Sequence, residues 1–217
     1  RSPLIARHAP LLASAAPHIA HAAIRNRGTF GGSLATADPA SEWPACCLTL
    51  GARIHLASCS GSRLVPAEQF FKGVYQTALE PHELITYVEV PAAAQDMRYG
   101  FDELVRRRGD YAIVGLAAQA RVGARGALKL FRPNDQRLHE VRLGFFGVAE
   151  TPVLARRAAA ALEGRPLTSE AIQDAQAALA EDFQPLGDLY TSAEAKAHMA
   201  RVLLGRVLTA MSGGHSA

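Results

Sequence analysis

The chain has 217 residues, 49% of them hydrophobic and 20% charged, enough apolar material for one large core or two small ones, which excludes a disordered chain. Its 23 Lys and Arg against 20 Asp and Glu leave a net charge of +3, and the basic residues do not gather into a stripe with interleaved aromatics, which sets nucleic-acid binding aside. No apolar run approaches the ~20 residues of a membrane span, and no basic segment followed by an apolar one opens the chain, so a soluble, cytoplasmic protein without a membrane partner is expected.

The alanine-rich residues 3–23, interrupted at Pro10 and Pro17, predict one or two short helices, since each proline is tolerated where it opens a helical turn. His18 and His21 stand at i, i+3, but no third ligand follows at useful spacing, so they read as exposed or capping side chains and not as a metal pair. Residues 25–39 concentrate glycine, small hydroxyl residues and Asp-Pro, the composition of a loop. A helix is expected over residues 41–50, with Asp38 or Ser41 as its N-cap. Cys46 and Cys47 are adjacent, Cys59 makes an odd third, and no C-x-x-C occurs. Neither a disulfide framework nor a zinc or iron–sulfur site follows, and a reducing compartment is expected.

Residues 52–58 alternate Ile54 and Leu56 with polar neighbours, the pattern of a half-buried strand. Ser60-Gly61-Ser62 turns the chain into a second strand around residues 63–65. Residues 66–77 read as irregular or weakly helical, and residues 84–91 as a strand rich in β-branched side chains that stops at Pro91. The weak periodicity of residues 91–97 places a boundary there, dividing the chain into residues 1–94 and 95–217.

The second unit opens on residues 99–105, followed by Arg106-Arg107-Arg108-Gly109-Asp110, which reads as a solvated loop. Strands are predicted at residues 112–122, 127–131 and 140–146, the first two joined by a hairpin at 123–126. Helices follow at residues 153–162, stopped by Gly164 and Pro166; at 169–181, capped by Thr168 or Ser169; and at 193–211, opened by the capping box Thr191-Ser192-Ala193-Glu194. Strands followed by helices make an α+β domain.

The phosphate loop G-x-x-x-x-G-K-[ST], the dinucleotide fingerprint G-x-G-x-x-G, the nucleophile elbow G-x-S-x-G and H-E-x-x-H are all absent from the sequence. What remains is Thr29-Phe30-Gly31-Gly32-Ser33. Adjacent glycines let backbone N–H groups converge on an anion such as a pyrophosphate, and the hydroxyls of Thr29, Ser33 and Thr36 can join them; a tight turn that only packs against a helix accounts for the same residues. His55, His82, His139 and His198 have no partner at catalytic spacing, so no catalytic residue is expected.

I-R-N-R-G-T-F-G-G-S-L-A-T-A-D-P-A-S at residues 24–41 resembles the second FAD-binding stretch of the medium, flavin-carrying subunits of molybdenum hydroxylases. This family includes xanthine dehydrogenase and aerobic carbon monoxide dehydrogenase. Residues 83–91 (E-L-I-T-Y-V-E-V-P) resemble the family strand before the domain junction. Residues 101–112, with Arg106-Arg107 and Gly109-Asp110-Tyr111-Ala112, resemble the opening of its C-terminal domain.

The resemblance implies an α+β fold: the second lobe of a two-lobed FAD-binding domain, then a C-terminal domain of a three-stranded antiparallel sheet and a helical bundle. It implies FAD held at its pyrophosphate and ribityl region by Thr29, Gly31, Gly32, Ser33 and Thr36, with Glu42 accepting from the adenosine ribose and Ile85 packing by the flavin. It further implies that electrons arrive from a 2Fe-2S small subunit, after a molybdopterin-binding large subunit has oxidised the substrate, and leave through FAD to an external acceptor.

Three departures stand out. Ser33 replaces the usual Asn, which removes a side-chain amide. Asp102 and Glu103 follow Phe101 where many relatives carry Lys, and a carboxylate near the flavin would disfavour its anionic reduced form. The sequence also begins after the family's first glycine-rich stretch. The expectation is therefore weak or no FAD retention by this chain alone, with a truncated, cofactor-free interaction or assembly module of such a complex as the alternative.

Overall fold

The computed structural model describes residues 2–123 and 136–213; the strand expected at 127–131 and the hairpin turn at 124–126 lie outside them. Helices α1 (Pro3–His8) and α2 (Pro10–Ala15) each carry proline in the first turn, as expected, and α2 buries Leu11, Leu12 and Ala15. After the short α3 (Ala22–Arg25), residues expected as loop form α4 (Phe30–Thr36). One local and one tertiary fact overcome the poor helix propensity of its glycines. Thr29 Oγ1 accepts from the Gly32 N–H at 3.0 Å, a working N-cap, and Leu34 is fully buried.

Helix α5 (Glu42–Leu50) is the pivot of the molecule. All its residues except Trp43 are buried, and it ends where Gly51 takes the left-handed conformation, φ 64°. Ser41 occupies its N-cap position without a side-chain bond. The hairpin β1 (Arg53–Ser58) and β2 (Gly61–Pro66) forms as expected, and residues 66–77 hold α6 (Ala67–Phe70) and the small pair β3 (Phe71–Gly73) and β4 (Gln76–Thr77). β5 (Leu84–Glu89) completes an antiparallel sheet in the order β2-β1-β5.

A second antiparallel sheet has the order β6-β7-β8-β9, from β6 (Met97–Leu104), β7 (Val114–Val122), β8 (Leu138–Phe146) and β9 (Val153–Leu154). Its fourth strand takes residues expected to open a helix. Val153 and Leu154 pair with Phe145 and Gly144, so the helix begins later, as α7 (Arg156–Leu162). α8 (Ser169–Ala178) continues as a 3-10 turn to Glu181, and α9 (Ala193–Ser212) closes the described chain. Thr168 and Ser192 cap these two helices by accepting from Ala171 N and Ala195 N.

Strand periodicity sorts the core into layers. Leu116, Ala118, Leu143 and Phe145 face α7–α9, packing among Leu203, Leu204 and Leu208. Ala117 and Phe146 face the other way, onto α2 and α5 through Leu11, Ala45, Cys46 and Leu50. The opposite side of α5, with Cys47, joins Leu34, Ile54, Leu56 and Phe70 in the core of the small sheet. Burial pushes the thiols of Cys46 and Cys47 up, that of Cys47 to about 12, and Cys59 is exposed.

Polar bonds seat α5 on the large sheet. Thr49 Oγ1 donates to Ala117 O at 3.3 Å. Arg142, on β8, donates through Nε to Thr49 O and through Nη2 to Leu48 O, both at 2.8 Å, and reaches Glu68 Oε1 at 2.7 Å. No helix among the described residues is long and apolar enough to cross a membrane.

Candidate functional site

The starts of α4 and α5, the turn after α2 and residues 109–111 enclose a cleft of about 390 Å³, within the usual range for a small-molecule site. Thr29, Ser33 and Glu42 line it, with Ile19, Trp43 and Tyr111 as apolar and aromatic wall. The other expected site residues lie on the far flank of α4 or within it. A Cβ at Gly31 would meet Ile85 Cγ2 at 3.9 Å, so Gly31 and Ile85 are neighbours there. A Cβ at Gly32 would lie 2.8 Å from Thr29 Oγ1, so glycine at this position makes room for the cap. Thr36 Oγ1 donates to Gly32 O at 2.9 Å, which commits its hydroxyl proton to the helix.

Arg25 was not singled out in the motif, and the structure gives it a place in the cleft wall. Its Nη1 donates to Ile19 O and Ala20 O, both at 2.6 Å, and holds Ala20 in a left-handed conformation, φ 44°, that L-residues rarely adopt. The wall residue Tyr111 is 64% exposed and also borders a second cleft of about 500 Å³, with Asp38, Tyr75, Arg106, Tyr190 and Lys196. Asp38 caps its own turn by accepting from Ala40 N at 2.8 Å and takes the Tyr75 O–H at 3.1 Å, so it does not cap α5.

The arginine loop is exposed at Arg106, Arg107 and Arg108, as expected, and meets the rest of the chain at two points. Arg106 lies 4.3 Å from the Tyr190 ring centroid. At Gly109, φ 89°, a Cβ would come 2.7 Å from His21 Cε1, so only glycine lets the His21 ring lie against the loop.

Electrostatics at the cleft floor centre on Glu42. Burial pushes its carboxyl up to about 7, the negative charges of Glu103 and Asp38 add to this, and its own N–H and His18 oppose it. His18 Nδ1 stands 3.4 Å from Glu103 Oε1, and this contact raises the imidazole above its ordinary value against the effect of burial. Glu103 Oε2 is buried with no partner among the described residues. Asp102, expected near the flavin together with Glu103, points instead to α9, where it pairs with Arg206 at 2.6 Å. Strand alternation separates the two carboxylates. No group of three or more His, Cys, Asp or Glu among the described residues could hold a metal ion.

Two hydroxyls, a fixed guanidinium, the Phe30 N–H that opens a helix without an intrahelical partner, and aromatic faces on an apolar wall suit a ligand with an anionic centre and flat rings. FAD fits that donor set. Arg25 and Tyr111 fall inside the motif stretches and were findable there. The His18–Glu103 contact joins residues far apart in sequence and leaves no local signal.

Residues 1–93 match the family described as FAD binding domain in molybdopterin dehydrogenase, and residues 99–211 match CO dehydrogenase flavoprotein C-terminal domain. The chain is 34% identical over 207 residues to the nicotine 6-hydroxylase medium subunit of Paenarthrobacter nicotinovorans, covering 95% of this chain and 69% of that protein. It is 34% identical over 209 residues to the carbon monoxide dehydrogenase medium chain of Hydrogenophaga pseudoflava, covering 96% and 69%. Among solved structures, carbon monoxide dehydrogenase from Hydrogenophaga pseudoflava superposes with a TM-score of 0.88 at 35% identity, over 98% of this chain and 70% of that one. Quinoline 2-oxidoreductase from Pseudomonas putida 86 gives 0.86 at 35% identity, over 99% and 70%.

Proposed function

Because the chain belongs to the FAD-binding medium-subunit family of the molybdenum hydroxylases, we propose that its cleft holds FAD and that electrons from a 2Fe-2S small subunit leave the complex here for an external acceptor. A molybdopterin-binding large subunit would oxidise the substrate upstream. The chain itself is an oxidoreductase subunit, and the proposed division of labour assigns residues 1–94 to the cofactor and residues 95–217 to support of the cleft from the large sheet. FAD, when bound, supplies two-electron chemistry, and the protein supplies position and electrostatics.

Thr29 keeps a free O–H to donate, since its oxygen is the acceptor for Gly32 N. Ser33 offers a second hydroxyl from the same wall. Gly31 and Gly32 let α4 start tightly, Gly32 by making room for the Thr29 cap; Arg25 supplies positive charge toward a pyrophosphate, and Tyr111 presents an open ring face. Ile85 packs behind Gly31, and Thr36 steadies α4 by its bond to Gly32 O. Glu42, at the cleft floor, is placed to accept from a ribose hydroxyl in either protonation state.

The observation that carries this reading is the capped glycine start of α4 on the wall of an aromatic-lined cleft, in a chain of this family. The test is quenching of FAD fluorescence on titration with the purified chain, followed by desalting and a visible absorption spectrum. Saturable quenching that Thr29→Val and Ser33→Ala weaken supports it. Saturable quenching that is unchanged in both variants overturns the assignment of this cleft, and absent quenching favours the cofactor-free assembly module for this chain alone.

A further inference from the structure

The titratable groups beneath the cleft come from five elements. Glu42 and the Cys46 thiol lie on α5, Glu103 and Asp102 on β6, His18 on the turn after α2, Asp38 on the loop before α5, and Tyr111 on the loop before β7. Asp102 is taken up by Arg206, Asp38 by Ala40 N and the Tyr75 hydroxyl, and the Cys46 thiol is fully buried. What remains is a compact set. Glu42 is 4% exposed yet borders the cleft, Glu103 has one buried carboxylate oxygen without a partner among the described residues, and His18 touches the other oxygen.

Two buried carboxylates that feel each other's charge are disfavoured unless paired, and a single imidazole cannot neutralise both. The acid form of one of them relieves the conflict. Glu42, bordering the cleft, is the one that can exchange its proton with whatever occupies that space.

We propose that Glu42 is a proton store for the cleft, holding one exchangeable proton in an acid whose grip comes from its burial and is tuned by Glu103 and His18. The step is a plain acid dissociation: the Glu42 O–H breaks, the carboxylate keeps the electron pair, and the proton leaves through the cleft; recharging reverses it. Negative charge gathering in the cleft strengthens the grip and its departure weakens it. This last consequence rests on the flavin reading above; the store itself does not.

The experiment is a pH titration by NMR of the full chain, with Glu carboxyl and His imidazole carbons labelled and no ligand added. One Glu carboxyl should titrate with a midpoint of about 7 and vanish in Glu42→Gln. Glu103→Gln should move that midpoint down by removing a like charge, and should move the His18 midpoint down by removing its partner. His18→Asn should move the Glu42 midpoint up. The wild-type titration alone is decisive if a variant fails to fold, because a set of Glu carboxyls that all titrate in the ordinary carboxylate range overturns the proposal. So does a near-neutral carboxyl that survives Glu42→Gln or is indifferent to Glu103→Gln. FAD binding is scored separately on the same preparation. A chain that titrates as stated but fails to quench FAD fluorescence favours the cofactor-free alternative to the ligand reading and still supports the store.

Discussion

Replacing Arg142 with Met tests how the cleft is held to its support. The guanidinium donates to two carbonyls at the C-terminal end of α5 and to Glu68, so the substitution removes charge-assisted bonds from a helix end that carries partial negative charge. Two such bonds at about 1.5 kcal/mol each suggest a loss of about 3 kcal/mol. The side chain is 28% exposed, so water reaches part of the vacated site, which lowers the figure to about 2 kcal/mol. The exposed Glu68 contact adds at most about 1 kcal/mol. For a chain of this length the resulting loss of about 2–3 kcal/mol corresponds to a fall in Tm of roughly 4–12 °C.

Thermal and urea unfolding followed by circular dichroism provide the assay, with Arg156→Met as the control. Arg156 also binds Glu68 but is 70% exposed, and its loss should stay within about 0.5 kcal/mol. Arg142→Lys, able to reach one carbonyl but lacking the fork, should fall between. The acid limb gives a second check. Arg142, and less so Arg156, hold the Glu68 carboxyl below its ordinary value. That contribution is present above the ordinary carboxylate range and lost as pH falls through the lowered value, so the gap between wild type and Arg142→Met should narrow in acid. Equal losses in Arg142→Met and Arg156→Met would refute the reasoning, because the carbonyl bonds would then count for nothing.

Other outcomes follow from the same geometry. Gly144→Ala places a Cβ 2.1 Å from Thr49 Oγ1 and 3.2 Å from Ala45 O; it should cost about 1–3 kcal/mol, and adding Thr49→Ala should recover only part of this in urea unfolding. Lys196→Met leaves Gly147 O and Asp188 without the ammonium that now bonds both. A loss of about 2 kcal/mol and faster chymotryptic cutting near the exposed Tyr190 are expected; an unchanged digest would count against the tether. Glu42 has a folded-state pKa raised from 4.5 to about 7, so the folded state holds a proton that the unfolded state has lost between those values. Stability should therefore fall as pH rises through that window, by on the order of 3 kcal/mol, and level off above it. Glu42→Gln should flatten the fall, and a slope of the same size in the variant would assign it elsewhere.

Signals written in neighbouring residues were legible from sequence: proline in the first turns of α1 and α2, Thr168 ahead of α8, and the hairpin after β1. Two were displaced by a residue: the turn is Cys59-Ser60, with Gly61 and Ser62 already paired in β2, and Ser192, not the Thr191 that opens the expected capping box, caps α9. The glycine stretch was legible as a motif but not as a helix, because its propensity is poor and what stabilises α4 is Leu34 in a core built by distant strands. Val153 and Leu154 looked like a helix start until Gly144 and Phe145 offered an edge to pair with. At the site, the motif singled out Thr29, Ser33 and Glu42 for different parts of one ligand, and the three line one cleft. Gly31 and Ile85 lie together on the other flank, and Thr36 turns inward, distinctions that depend on which way a short helix faces. The His18–Glu103 contact and the separation of Asp102 from Glu103 required the register of β6 and the path of the chain around it.

The position of α5 bears on how this polypeptide can be subdivided. Residues 91–96 form no helix or strand and look like a convenient place to cut, but the interior does not divide there. Leu11, Cys46 and Leu50 on one side of that segment share a core with Ala117 on the other, and Phe146 lies against Ala45. Expressed as separate halves, the first would carry α5 with one greasy side bare, and the second would present the uncovered back of its sheet. Each fragment would be prone to clump, and mixing them would be the way to recover folded material. The chain is two units by pattern and one by cohesion, so fusion partners, tags and crystallisation cuts belong at its ends.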